Sequence, residues 1–311
     1  MYYPLLRARQ FELIALRDLT KEGILENYIL PILEPVKESH NNLNLAVIQF
    51  VKYDQKAYLI LNPEVGEKRG DNDYYLNYIN SVESDILIPA FYYRNNKSFI
   101  EDKIQTYKLR NVMLICQNDI STTDDDFINI VNSPEITAIT VNDPGRNRSL
   151  DRFIKSLNKS YIRLDDLFEK QVRNSDFLDI EEHRFSEEHL YYDQEGYSGF
   201  SDYTVLPSEF ADGGSTPRAV VIHLTYLNKQ NQIWIRHFTS NTNDSIANIQ
   251  GKFAEAATKA VRFCRENKLS NSAILELENY YDDQHYPGLG TVKKIAMKNH
   301  LLIIQQYLRN R

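Results

Sequence analysis

Cysteine is scarce, with two in 311 residues. Cys116 lies in an apolar run and Cys264 in a helical pattern, neither at the spacing of a metal or redox motif, so both read as buried fillers. Long apolar runs are missing too. The longest nearly unbroken one, residues 43–51, is far too short to cross a bilayer, and the opening Met1-Tyr2-Tyr3-Pro4 lacks the basic-then-apolar layout of a secretion signal. A cytoplasmic protein without membrane contact is expected. Excess positive charge is absent as well. Against 36 Lys and Arg stand 43 Asp and Glu, a net charge of -7, which argues against direct, non-specific binding of nucleic acid by this chain alone. There is no HExxH or paired-Cys zinc spacing, no GxSxG elbow, no glycine-rich phosphate loop, no internal repeat and no low-complexity tract. What is abundant is ordinary globular material. With 42% hydrophobic and 25% charged residues the chain can bury a sizeable core, and its 21 Tyr and 14 Phe suit packing and interfaces alike.

Hydrophobic periodicity organises the first half. Residues 10–19 pattern as a helix with Phe11, Ile14, Ala15 and Leu19 on one face, and 30–35 as a short strand closed by Glu34 and a proline. Apolar runs follow at 45–51, 58–62 and 86–93. A regular alternation then sets in, strand 112–116, helix 124–131, strand 136–141, helix 150–157 and strand 161–164, as βαβ units with a parallel sheet require. The rhythm breaks after Asp166, and the turn-rich run 212–217 marks a junction. Residues 219–227 and 232–238 then form an antiparallel hairpin around 228–231. A helix over 246–264 with Asp244 or Ser245 as its cap, a strand over 273–277 and a last helix over 291–309 complete the chain. The reading is an α/β fold: a (β/α)8 TIM-like barrel, distorted, with a central insertion and an antiparallel hairpin, favoured over an open doubly wound sheet. Residues 1–166 are its first part, 167–218 an insertion or junction, and 219–311 the hairpin and closing part.

Acidic and amide side chains end most of the expected strands: Glu34, Asn62 with Glu64, Asn118 with Asp119, Asn142 with Asp143, Asp165 with Asp166, and Glu276 with Glu278. The mouth of a barrel lies at the C-terminal ends of its strands. Carboxylates converging there can hold Mg²⁺ or Mn²⁺, or act as a general acid and base pair. The plainer account is that Asp and Asn end strands everywhere, because they cap helices and accept turn conformations. A second constellation comprises Gly199-Phe200-Ser201-Asp202-Tyr203, His223, Arg236 with His237, and Gly251-Lys252. Arg with Lys near a helix N-terminus suits an anion such as phosphate or carboxylate. The plainer account is internal pairing, Arg236 with Asp202 and Lys252 with Glu255. The aromatic cluster Tyr191, Tyr192, Tyr197, Phe200 and Tyr203 suits packing or a protein surface.

The opening Met1-Tyr2-Tyr3-Pro4-Leu5-Leu6-Arg7-Ala8-Arg9-Gln10, the run Pro31-Ile32-Leu33-Glu34-Pro35-Val36-Lys37 and the segment Gly199-Phe200-Ser201-Asp202-Tyr203 resemble the beta-protein family of bacteria and phages. The likeness spans nearly the full length. It is clearest for the bacterial branch with the Tyr-Pro-x-x-Arg-x-x-Gln opening, the later Trp234-Ile235-Arg236-His237-Phe238 and Gln250-Gly251-Lys252. The resemblance implies a barrel-like fold and a gene placed beside a companion nuclease-like protein, in a setting of defence against phage. Two functions follow as expectations. In the first, the chain is a sensor, specificity or regulatory partner of that nuclease, with the insertion as its interface. In the second, it is a metal-dependent barrel hydrolase of phosphodiesterase type. There Glu34, Asp202 and Tyr203 are the candidate catalytic groups, Arg236, Lys252, Asp119, Asp143 and Asp165 bind an anionic, phosphate-bearing or nucleotide ligand, and Mg²⁺ or Mn²⁺ is the candidate cofactor.

Overall fold

The computed structural model describes residues 1–213 and 216–311; Gly214 and Ser215, inside the turn-rich run 212–217, lie outside the described residues. The first half alternates as expected: β1 (Leu5–Leu6), α1 (Gln10–Lys21), β2 (Ile32–Leu33), α2 (Asn41–Tyr53), β3 (Ala57–Ile60), α3 (Tyr74–Ser81), β4 (Leu87–Tyr93), α4 (Lys97–Tyr107), β5 (Val112–Cys116), α5 (Asp125–Asn132), β6 (Ile136–Asn142), α6 (Arg148–Lys155) and β7 (Ser160–Asp165). Then come α7 (Phe177–Ile180), β8 (Glu182–Ser186), α8 (Glu188–Tyr191), β9 (Gly199–Asp202), β10 (Val221–Leu227), β11 (Ile233–Thr239), α9 (Ile249–Glu266), α10 (Ser272–Asp282) and α11 (Leu289–Asn310).

Eight strands form one parallel sheet in the order β1-β2-β3-β4-β5-β6-β7-β9. Its two ends meet where Tyr2 bridges Phe200 in parallel and the Tyr3 amide donates to the Phe200 carbonyl at 2.9 Å. The sheet is thereby a nearly closed (β/α)8 barrel. At the seam a Cβ on Gly199 would collide with the Tyr3 ring and lie 2.8 Å from the Met1 carbonyl, so only glycine fits there. All five residues of β5 are buried, as in a parallel strand with side chains inside the barrel on one face and helices on the other. The interior is filled by side chains such as Leu5, Ile60, Tyr92, Met113, Ile115 and Leu164. Local chemistry agrees with this layout: Asp124 caps α5 by accepting from the amides of Asp126 and Phe127.

Three expectations are corrected. Residues 167–218 are not wholly an insertion, because β9 within them is the eighth barrel strand and β8 is one strand of a second sheet. Residues 273–277 are helical rather than extended, being part of α10, where Ala273, Ile274 and Leu277 recur at helical spacing on the buried face. The cap of α9 is Asn248, whose side chain accepts from the Gly251 amide, not Asp244 or Ser245. The 45–51 run forms α2, which has no charged residue before Lys52.

The hairpin forms as read. β10 and β11 pair antiparallel, β8 adds to the free side of β11, and the three strands make a small sheet beside the barrel. One face of it carries Thr225 against His300 of α11, and the other carries Tyr226 and Phe238 against Phe263 of α9. α11 also packs along α1, and so fills the helical position beside the closing strand. No helix among the described residues is long and apolar enough to cross a membrane.

Candidate functional site

Side chains alternate along a strand, so every second residue of a barrel strand faces inward and the last inward ones line the mouth. In β1 the phase places Leu5 and then Arg7 inward; in β2 it places Ile32 and then Glu34. Glu34 is fully buried, and one of its oxygens accepts from Arg7 and from the Tyr92 hydroxyl, the latter at 2.9 Å. Its other oxygen accepts the Glu64 amide at 2.8 Å. Arg7 also donates to the Ser208 carbonyl at 2.5 Å and lies over the Tyr203 ring at 5.3 Å. Burial pushes the Tyr92 hydroxyl well above its usual range and Tyr203 up to about 12, so both stay protonated at neutral pH and the Tyr92 hydroxyl can donate to Glu34. Asn62 is fixed beside them: its carbonyl accepts the Tyr92 amide at 2.8 Å and its amide nitrogen donates to Asp71 at 2.9 Å.

A segment following β9 covers this mouth. Beyond the contact of Ser208 with Arg7, Arg9 donates to the Ala211 carbonyl and stacks over Phe210 at 4.6 Å, and Lys37 pairs with Asp212 at 3.5 Å. The cover is tied in turn to the segment after β7, through Ser208 to Asp166 and Lys170 to Glu209.

Of the candidate catalytic residues, Glu34 and Tyr203 lie at this mouth and Asp202 does not. One residue earlier in β9, Asp202 faces the helical layer, where it accepts the Tyr2 hydroxyl at 2.5 Å and the Thr204 amide at 2.8 Å. His300 lies 3.4 Å from its second oxygen and 3.2 Å from the Thr225 hydroxyl, so this buried chain links barrel, α11 and flanking sheet. The candidate ligand-binding residues do not converge. Asp165 faces outward and is held bidentately by Arg163 at 2.8 and 3.0 Å. Asp143 pairs with Arg146 at 3.2 Å, and Asp119 is exposed. Arg236 stands on the flanking sheet and pairs with Glu181 and Glu182, not with Asp202. Lys252 is buried and donates to the Ser245 carbonyl, while Glu255 serves the amides of Asn241 and Thr242, so those two residues do not pair. Glu276 and Glu278 belong to α10, not to the rim, and bind lysines of α11 and Arg265. Among the described residues no group of three or more His, Cys, Asp or Glu is placed to hold a metal ion. The rim carboxylates that were candidates for Mg²⁺ or Mn²⁺ are dispersed, and most already face a cation.

The aromatic cluster is mostly interior packing. Tyr192, Tyr197 and Phe200 are buried, and Tyr191 is half-exposed. Two features escaped the sequence reading. Arg7 was a mark of the opening, not a candidate partner of Glu34, although both follow a short apolar strand by one residue. His183, His223 and His237 assemble on three adjacent strands of the flanking sheet; the hairpin around 228–231 pairs Leu227 with Ile233, one residue off the register its expected bounds imply, and this sets His223 opposite His237, while β8 adds His183. No family model, curated protein or solved structure matches the chain.

Proposed function

We propose that this chain works by binding a protein partner, as a sensor or regulatory subunit of a companion nuclease-like protein in bacterial defence against phage. The observation that carries the reading is the outer face of α2. Leu45, Ile48 and Val51, spaced three apart along the helix, are 48%, 58% and 49% exposed, and the only charged residue of α2 is Lys52. Apolar side chains grouped on one exposed face mark an interaction site more often than chance surface. The paired rim charges supply a second support, since carboxylates engaged by Arg side chains are poorly placed to bind a metal. Co-expression with the product of the adjacent gene, followed by size-exclusion chromatography with light scattering, tests it. A stable complex that Ile48→Glu abolishes without altering the circular dichroism is expected; two separate peaks, or a complex indifferent to Ile48→Glu, would overturn it.

One observation favours a second reading, an anionic ligand at the mouth: the Arg7 Nε is buried without a hydrogen-bond partner. Thermal stabilisation by inorganic phosphate or a nucleotide, with and without Mg²⁺, is expected in the parent and lost in Arg7→Met. Equal melting temperatures in all cases would remove this reading.

A further inference from the structure

The segment between β7 and β8 rests on an unusual floor. The Nδ1 atoms of His223 and His237 lie 2.7 Å apart, and the Nε2 of His237 is 3.4 Å from the Nδ1 of His183. Phe177 packs on His237 at 4.4 Å and His223 at 4.9 Å between ring centres, and Phe168 stands edge-on to His223 at 5.2 Å. The far end of the segment is pinned where the His237 amide donates to the Glu181 carbonyl at 2.8 Å. At its near end Asp166 and Lys170 hold Ser208 and Glu209 of the cover. Floor, segment and cover are therefore one connected series.

We propose that residues 166–181 form a strap that stays docked only while His223 and His237 are neutral, and that mild acid releases it and loosens the cover over the barrel mouth.

The argument starts from protons. A 2.7 Å contact between two imidazole nitrogens needs one N–H and one lone pair, so the pair is satisfied when one Nδ1 carries hydrogen and the other does not. Protonating both sets two N–H groups head to head. The charged surroundings oppose it as well. The groups acting on His223 are His237, His183 of β8 and Lys293 of α11, every one a cation when charged. From the strap itself the floor meets the rings of Phe168 and Phe177. The nearby acids are engaged or turned away: Glu181 and Glu182 pair with Arg236, Asp176 accepts the Arg173 amide, and Asp179 is exposed. Burial and these neighbours hold His223 well below the usual imidazole range and His237 at about 3. Undocking returns both to water, where an imidazole titrates near 6.5. Sign follows directly: the docked form is favoured above that value and loses ground as pH falls below it. At pH 5.5 each freed imidazole shifts the opening equilibrium about tenfold, and the two together about a hundredfold.

Hydrogen exchange on the full chain at pH 7.5 and 5.5, with times rescaled for the intrinsic rate, tests the strap. Protection in 166–181 and 203–212 is expected to fall ten- to a hundredfold at pH 5.5 while β5 stays protected. In His223→Gln that fall shrinks by about tenfold, and in His189→Asn, a buried histidine outside the trio, it persists. Equal protection at both pH values, loss of β5 together with the strap, or an undiminished fall in His223→Gln would each overturn the proposal.

Discussion

The buried pair at the mouth gives a sharp test of how the rim is held. In Arg7→Met, Glu34 keeps two of its three partners, the Tyr92 hydroxyl and the Glu64 amide, but loses its counter-charge inside the barrel. Removing one partner of a buried ion pair costs about 3–5 kcal/mol, and the two remaining hydrogen bonds place this variant near 3. Glu34→Gln is milder, about 1–2 kcal/mol, because the Arg7 side chain is 15% exposed and water can solvate it. The double variant strands no charge, so its loss falls below the sum of the singles by about 2 kcal/mol, the mark of direct coupling. Urea unfolding at pH 7.5 followed by circular dichroism reads all three, with equal slopes required for the comparison. Arg262→Met is the control; its exposed i,i+4 partner is Glu266, and no measurable change is expected. A loss under about 1 kcal/mol for Arg7→Met, or strictly additive losses, would show that the pair does not hold the mouth.

Glu12 is buried with one oxygen unpartnered, and burial pushes its carboxyl up to about 7. A raised carboxyl contributes stability below its unfolded value and loses it as pH rises through 7, so Glu12→Gln gains up to about 3 kcal/mol over the parent at pH 8 and nothing below pH 4.5, read from denaturation midpoints. His189 is the opposite case: burial lowers it to about 4, and its stability is full above 6.5 and lost as pH falls toward 4. His189→Asn should therefore lack about 2 kcal/mol of the parent's loss between pH 7.5 and 5. Asp202→Ala removes the acceptor for Tyr2, the Thr204 amide and His300, and should cost about 2–4 kcal/mol by thermal melting while leaving any response to Mg²⁺ unaltered.

The barrel was legible because its signal is local and repeated. Residues 112–165 alternate apolar strands with polar-faced helices at short spacing, and a parallel sheet is what such a chain can build. The eighth strand was hidden for the opposite reason. Gly199-Phe200-Ser201-Asp202 is short and holds two polar residues, and its burial comes from the barrel seam on one side and α11 on the other. Residues 273–277 misled through brevity, since an apolar run of five does not itself separate helix from strand.

Strand-end carboxylates reported position but not direction. Glu34 and Asp202 each stand at the end of a barrel strand, yet the pleat turns Glu34 into the mouth and Asp202 into the helical layer, so one residue of phase divides a rim group from a structural one. The same phase would have singled out Arg7, two residues beyond the inward Leu5, and Tyr92, two beyond Ala90. Once the barrel is assumed, inward phase from each strand's core residue ranks the candidates better than acidity does. By that criterion Arg7, Glu34, Asn62, Tyr92 and Tyr203 form the group to mutate at the mouth. Asp165 faces outward from the end of β7, while Arg236 and Lys252 belong to the flanking sheet and α9.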